Sequence, residues 1–511
     1  MIPILDSGGM READRVTISE LGLPSLVLME SAASAVTEVV AERIPDAGRV
    51  VIVCGPGNNG GDGLAVARQL RCRGFDVVVG MVAANREVKG DAAVQLALAR
   101  SFDVRIRDCA RGTQAHLAQL LVGSDVVVDA LFGTGLDRPL SGRWAQAVRA
   151  INRAGVPVVA VDIPSGLEGS SASVPDVAVK ASVTVTFGAP KIAHVLPPAC
   201  WLCGEVAVAD IGIPPWVVER QANVALVEAE DVMEWLPRRP ADSHKGRFGH
   251  LLVVAGREGR AGAAALAARA AVALGSGLVT VATVRAAMRP IQSLVPEAMV
   301  DPLPEGEDGA VSGEGIDASL EKATALAVGP GLGLGDGPRR LLTTILEKWH
   351  GPLLLDADAL TLLAGKLKPL RGRDVPAVLT PHPGELGRLL GVPTAEVTRD
   401  RLRAALAAGR KAGAVVLAKG ARTVIVGGEG WSLVNPTGTP GLASGGAGDV
   451  LTGAIGAFLA QGVPPKEAAA AGAWLHGRAA ELAGERHSGA VPAGALARQL
   501  AKAEAEVRRL A

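Results

Sequence analysis

Short apolar runs separated by longer stretches of helical period set the rhythm of this chain. In the first half, Arg49–Cys54, 76–82, 125–130, 157–162, Val183–Phe187 and 204–208 read as strands. The segment 64–73 reads as a helix following a glycine-rich turn, and 10–43 as helical pattern interrupted by Gly22 and Pro24. Around 211–245 the pattern lapses into Pro-, Arg- and Glu-rich sequence, including Leu236-Pro237-Arg238-Arg239-Pro240. A second series then begins, with strands at 250–255, 278–283, Ala325–Val328, 353–356, 377–380, 415–419 and 423–426. An Ala-rich helix at 262–274 and an apolar one at 450–461 accompany them. Strands that are apolar on both faces belong in parallel sheets covered by helices on each side. The two halves share this α/β grammar without a shared repeat. The expectation is therefore two different domains, 1–220 and 241–511, joined by a linker at 221–240.

Composition narrows the classes of function. A chain of 511 residues exceeds one typical domain, and its 49% hydrophobic content supplies a core for each half. Lys+Arg and Asp+Glu both number 52, so no net charge draws the protein to nucleic acid or to an anionic membrane. Aromatic residues make up only 3%, with no Tyr, which removes base-stacking platforms. Five Cys do not make a disulfide framework, and the lone pair Cys200 and Cys203 precedes a strand rather than opening a helix, as a redox motif should. The start, MIPILDSGGMREADR, lacks a basic region followed by an apolar core, and no uncharged apolar run approaches about 18 residues. A soluble cytoplasmic protein is expected, with no nucleic-acid or membrane partner, and a homo-oligomer.

The chemistry concentrates at strand exits, where the crevice of a parallel sheet lies. After Arg49–Cys54 comes Gly55-Pro56-Gly57-Asn58-Asn59-Gly60-Gly61-Asp62-Gly63. Its first six residues fit the dinucleotide fingerprint, but the next strand ends Met81-Val82-Ala83-Ala84 without the acid that binds ribose hydroxyls. No Lys-Ser/Thr pair makes it a P-loop either. Asn58, Asn59 and Asp62 instead add side-chain oxygens to a loop of converging N–H groups. Two further strands end in carboxylates, Asp129 before Leu131-Phe132-Gly133-Thr134-Gly135-Leu136, and Asp162 before Ile163-Pro164-Ser165-Gly166. Oxygen donors such as Asn59, Asp129 and Ser165 suit a hard cation, and the lack of a Cys/His cluster disfavours zinc.

In the second half, Gly445-Gly446-Ala447-Gly448-Asp449 runs straight into the apolar helix. Small residues let backbone N–H groups converge on an anion, backed by the positive end of the helix. Asp449 then sets a carboxylate beside that anion, where it can take a proton from a hydroxyl. Ser243-His244-Lys245-Gly246, Gly329-Pro330-Gly331-Leu332-Gly333, Thr380-Pro381-His382-Pro383-Gly384-Glu385 and Lys419-Gly420-Ala421-Arg422-Thr423 also sit at strand boundaries.

The stretches MREADR, LMESA, GPGNNGGDG, DALFGTG and VDIPSG resemble the YjeF N-terminal domain, the epimerase of hydrated NAD(P)H. The resemblance implies a Rossmann-like, three-layer αβα domain. It places Asn58, Asn59, Gly60, Gly61, Asp62, Gly133, Thr134, Gly135, Leu136, Asp137, Arg138, Pro139 and Asp162 against the hydrated dinucleotide. It gives Asn59, Asp129 and Ser165 a potassium ion. HKGRFGH, GPGLG, TPHPGE, LAKG and GGAGDVLTG resemble the ribokinase-like ADP/ATP-dependent NAD(P)H-hydrate dehydratases. That second resemblance implies an α/β domain in which Lys419, Gly420, Ala421, Arg422, Thr423 and Gly448 line the adenine nucleotide site. Ala263, Gly331, His382 and Asp449 would face the hydrated dinucleotide. One departure is the charged loop Arg257-Glu258-Gly259-Arg260 ahead of Gly262.

Together the resemblances imply a two-step repair of hydrated NADH or NADPH, whose C6 hydroxyl exists as R and S epimers. The first domain would interconvert them, and the second would remove water from the S form using ADP or ATP with Mg²⁺. Asp449 is the expected base for dehydration. Asp129 or Asp162 would handle the epimerase proton, and a cation beside Asp129 favours Asp162. The competing reading is a vitamin-precursor kinase fused to a non-catalytic binding module, which would leave a stable phosphorylated product.

Overall fold

The computed structural model describes residues 1–45, 47–136, 138–485 and 489–510. The expected contact residue Asp137 lies outside them. The chain divides into two compact units, Pro3–Val224 and, with the first two residues, Ala225–Ala511. Residues 225–240 therefore sit with the second unit: the Val227 N–H donates to the Val434 carbonyl at 3.0 Å, and Ala229–Trp235 is a helix.

The first unit is built on a seven-stranded, wholly parallel sheet. Its strands are β1 (Arg49–Cys54), β2 (Asp76–Met81), β3 (Arg105–Asp108), β4 (Val126–Ala130), β5 (Val158–Val161), β6 (Val183–Phe187) and β7 (Glu205–Ala209), in spatial order β3-β2-β1-β4-β5-β6-β7. Every residue of β4, β5 and β6 is buried, as strands covered on both faces require. β3 escaped the sequence reading because Arg-Ile-Arg-Asp is an exposed edge with one apolar residue. The chain leaves β1 outward to β2 and β3, then returns to β4 on the other side, so the exits of β1 and β4 flank the point where strand order reverses.

The helix after β1 is longer than the periodicity predicts. It runs Asn58–Cys72, and the polar residues of the glycine-rich segment form its first turns. The sequence reading missed this because apolar periodicity begins only at Leu64. Close backbone contact explains the glycines: a Cβ on Gly60 would lie 2.1 Å from the Gly55 carbonyl oxygen.

The second unit carries β8 (His250–Val254), β9 (Leu278–Val284), β10 (Met299–Leu303), β11 (Ala325–Val328), β12 (Leu353–Leu355), β13 (Val378–Leu379), β14 (Val415–Ala418), β15 (Val424–Val426) and β16 (Ser432–Val434). They lie in the order β16-β15-β14-β13-β12-β11-β8-β9-β10, parallel from β14 to β10, with β15 running antiparallel to both β14 and β16. Order reverses again beside β8. The apolar helix starts at Ala447, three residues before the predicted start, and every residue of Val450–Ala460 is buried. A Cβ on Gly453 would fall 1.9 Å from the Ala267 carbonyl, so small residues let this helix press against Ala261–Ala273. Among the described residues no helix is long and apolar enough to cross a membrane.

Candidate active sites

A cavity of about 470 Å³ opens at the β1/β4 switch point of the first unit. It is lined by Asn58, Asn59, Asp62, Gly133, Thr134, Gly135, Leu136 and Asp162, which joins three of the predicted loops. Asp129 lies beneath, fully buried, its carboxylate accepting from the Ser165 N–H at 2.8 Å and the Ser165 hydroxyl at 2.7 Å. Burial, only partly offset by these bonds, pushes its carboxyl up to about 6. Ser165 Oγ also accepts from the Phe132 N–H at 2.9 Å. The next residue, Gly133, backs onto the other two groups: a Cβ there would lie 2.7 Å from Asp162 Oδ2 and 3.0 Å from Asn59 Oδ1. The Asn59 carboxamide is buried, and neither of its polar atoms has a hydrogen-bond partner among the described residues.

Asp162 is held in place from three sides. Its Oδ2 accepts from the Thr134 N–H at 2.9 Å, and its Oδ1 from the Thr186 hydroxyl at 3.1 Å and Lys191 Nζ at 2.9 Å. Its backbone adopts φ +66°, a left-handed conformation that a non-glycine residue keeps only when its surroundings enforce it. Burial alone would raise its carboxyl, but the Lys191 charge and hydrogen bond, with the Thr134 N–H, hold it down at about 2. Lys191 was not foreseen. It is completely buried and spends all three donors, on Asp162, the Thr186 hydroxyl at 2.7 Å and the Phe187 carbonyl at 2.9 Å. A lysine inside the apolar stretch Gly188-Ala189-Pro190-Lys191-Ile192-Ala193 was the available signal. The resemblance also places Arg138 and Pro139 here; neither lines the cavity.

In the second unit, Gly446 caps the buried helix at φ +87°, so Gly448 and Asp449 occupy its first turn, where N–H groups have no partner inside the helix. A Cβ on Gly448 would lie 3.7 Å from Lys419 Nζ and 3.9 Å from Asp356 Oδ2. Lys419 donates to Asp356 Oδ1 at 2.8 Å and stands 3.8 Å from Glu385. Asp356 Oδ2 accepts from the Thr452 hydroxyl at 2.7 Å, and Glu385 accepts from the His382 N–H at 2.8 Å. Burial first, then the Asp356 charge, push the Asp449 carboxyl up to about 6, with Lys419 opposing. Gly331 and Ala263 lie side by side: a Cβ on Gly331 would be 3.4 Å from that of Ala263 and 3.2 Å from that of Arg260. The charged loop at 257–260 thus packs on the Gly331 turn. Arg401 secures the Gly420-Ala421-Arg422-Thr423 turn by donating to the Ala421 and Arg422 carbonyls. Asp356, Glu385 and Thr452 were not among the expected site residues: Glu385 and Thr452 lie inside the quoted motifs TPHPGE and GGAGDVLTG without a role, and Asp356 reads as the end of an apolar run.

Family models match both halves. Residues 25–193 match the YjeF-related protein N-terminus, and residues 251–502 match NAD(P)H-hydrate dehydratase. The bifunctional NAD(P)H-hydrate repair enzyme of Moorella thermoacetica is 41% identical over 502 residues, covering 96% of this chain and 95% of that one. The chain belongs to the bifunctional NAD(P)H-hydrate repair enzymes. Within that family the Escherichia coli enzyme is 36% identical over 480 residues, covering 93% of this chain and 89% of its own. The Bacillus subtilis ADP/ATP-dependent NAD(P)H-hydrate dehydratase, co-crystallised with ATP and Mg²⁺, is 33% identical. It superposes with a TM-score of 0.50 over 56% of this chain and 99% of that one. The fold is a Rossmann-like αβα domain followed by a ribokinase-like α/β domain, and both switch-point clusters described above fall within the matched residues.

Proposed function

We propose that this chain repairs hydrated NADH and NADPH, with epimerase work in 1–220 and ADP- or ATP-dependent dehydration in 241–511, as a cytoplasmic homo-oligomer. The observation that supports this most strongly is Asp449 in the first turn of a buried helix, beside Gly448 and the Lys419–Asp356 pair. Hydroxide leaves poorly, and phosphorylating the C6 hydroxyl turns it into a good leaving group. Asp449 takes the hydroxyl proton while the N–H groups of the first turn stabilise charge on the transferring phosphoryl. Mg²⁺ bound with the nucleotide neutralises phosphate charge. Ala263, Gly331 and His382 hold the hydrated dinucleotide, and Lys419 with the turn at 420–423 holds the nucleotide.

In the first unit, Asn58, Asn59, Gly60, Gly61 and Asp62, with 133–136 and Asp162, bind the substrate. Asp162, kept ionised by Lys191, accepts hydrogen bonds from it. The orphaned Asn59 oxygen, with Asp129 and Ser165, fits a potassium ion, whose charge would offset burial of Asp129. The apoprotein should accordingly melt higher in potassium chloride than in choline chloride of equal ionic strength. A binding linkage of one kcal/mol corresponds to roughly 2–4 °C for a unit of this size. Asn59→Ala should erase the difference. Identical melting of the parent in both salts would remove potassium from the scheme.

The decisive assay mixes R and S hydrated NADH with the protein, with and without ADP, and follows the return of reduced-nicotinamide absorbance. Complete ADP-dependent recovery beyond the S fraction, faster than spontaneous epimerisation, is expected. Recovery halting at the S fraction would leave the first unit without activity. A stable phosphorylated product would indicate a kinase instead.

A further inference from the structure

The epimerase cavity holds a carboxyl that the sequence motifs do not assign. Asp14, near the end of the helix Ser7–Arg15, lines the same cavity as Asp62, Asp162 and Lys191. Three other acids line it: Asp162 is engaged, Asp62 is enclosed, and Asp91 stands in the first turn of the helix Gly90–Ser101. Both Asp162 oxygens take hydrogen bonds, and Lys191 keeps it ionised, so it neither carries a proton nor competes well for one. Asp62 is almost wholly buried, and burial raises its carboxyl well above the ordinary range. Among the described residues no hydrogen bond or ion pair engages the Asp14 carboxyl, which is part-exposed at the cavity wall. The charged groups facing it are Lys191, Asp162 and Asp62, with Arg11 from its own helix and Asp91 from the helix Gly90–Ser101 also on the cavity wall. Burial lifts it to about 6, Lys191 opposing and Asp162 reinforcing, so it exchanges a proton in the neutral range.

Resting on the epimerase reading above, we infer that Asp14 is the catalytic acid and base of the first unit, donating a proton to the departing C6 hydroxyl and recovering it when water returns. The C6–O bond breaks with its electron pair on oxygen, which takes the Asp14 proton and leaves as water. The N1 lone pair forms the N1=C6 bond, and C6 becomes planar. Water then adds to either face, the N1=C6 pair returns to N1, and the excess proton passes to the Asp14 carboxylate. The ionised Asp162 faces the cationic intermediate and stabilises its charge.

The test uses the full chain, with epimerase and dehydratase rates measured on the same preparation. Asp14→Asn should lower the epimerase kcat by about 10²-fold or more with KM within about threefold, the retained KM showing that the first unit still folds and binds, while the dehydratase rate of the second unit stays parental. After subtraction of the spontaneous rate, the parent's epimerase activity should fall as pH rises past about 6, and this limb should vanish in the variant. Asp14→Glu should restore part of kcat. Unchanged kcat with the same pH limb, or a loss confined to KM, would overturn the assignment while leaving the epimerase standing. A parent protein with no epimerase activity would overturn the underlying reading and Asp14 with it.

Discussion

Asp449→Asn is expected to abolish dehydration while leaving epimerisation at its parental rate. The carboxylate sits in the first turn of a helix buried along nearly its whole length, where unpartnered N–H groups and the positive helix end favour a transferring phosphoryl group. Asparagine keeps the size and hydrogen-bonding reach of the side chain but cannot take the hydroxyl proton. General-base loss of this kind costs about 10²–10⁴ in rate, about 3–5 kcal/mol of barrier. The pH profile supplies an independent check. Asp449 must be ionised to act as base, and burial with the Asp356 charge brings its carboxyl up to about 6. Dehydration by the parent should rise with pH through that value and then level off. The residual activity of the variant should show no such limb. Titration of ADP binding in both proteins separates chemistry from binding, since Lys419 and its turn are untouched. Equal dehydration rates in the two proteins would remove Asp449 from the mechanism.

Much of this was legible in the sequence for one physical reason: doubly covered parallel strands must be apolar throughout, so their ends show up as the first polar residues. Asp129 and Asp162 stand out after runs of valine, and β1, β6 and β11 carry the predicted bounds. Chemistry set into helix starts was harder to place. Asn58 and Asn59, like Gly448 and Asp449, lie in first turns that carry no apolar periodicity, so they read as loops although helical backbone positions them. Partnerships across the fold were invisible. Nothing adjacent in sequence links Asp162 to Lys191, 29 residues on, or Asp356 to Thr452, 96 residues on. Each pair exists because the sheet brings different strand exits to one crevice.

The Lys191–Asp162 pair yields the largest expected effect on stability. Lys191→Met removes an ammonium that is completely buried, leaving the Asp162 carboxylate enclosed with only the Thr134 N–H and Thr186 hydroxyl. Breaking one side of a buried ion pair costs about 3–5 kcal/mol, enough to unfold the first unit at modest temperature. Asp162→Asn alone should be similarly severe, since it strands the ammonium instead. The double replacement Asp162→Asn with Lys191→Met leaves neither partner of the pair charged and should recover much of the stability. The two single losses then exceed the double loss, which is the signature of coupling. The acid dependence follows from the sign of the shift. In the parent, Asp162 is held at about 2 against an ordinary value of 3.8, so the pair's contribution is present above about pH 4 and lost as pH falls toward 2. In Lys191→Met, unopposed burial raises the same carboxyl, and protonation relieves the strain. The stability gap between parent and variant should therefore be widest at neutral pH and narrow on acidification. Urea unfolding of both proteins at pH 7 and pH 4 measures that gap directly. A gap that stays constant, or double-mutant effects that simply add, would show that Lys191 fills space without anchoring the charge of Asp162.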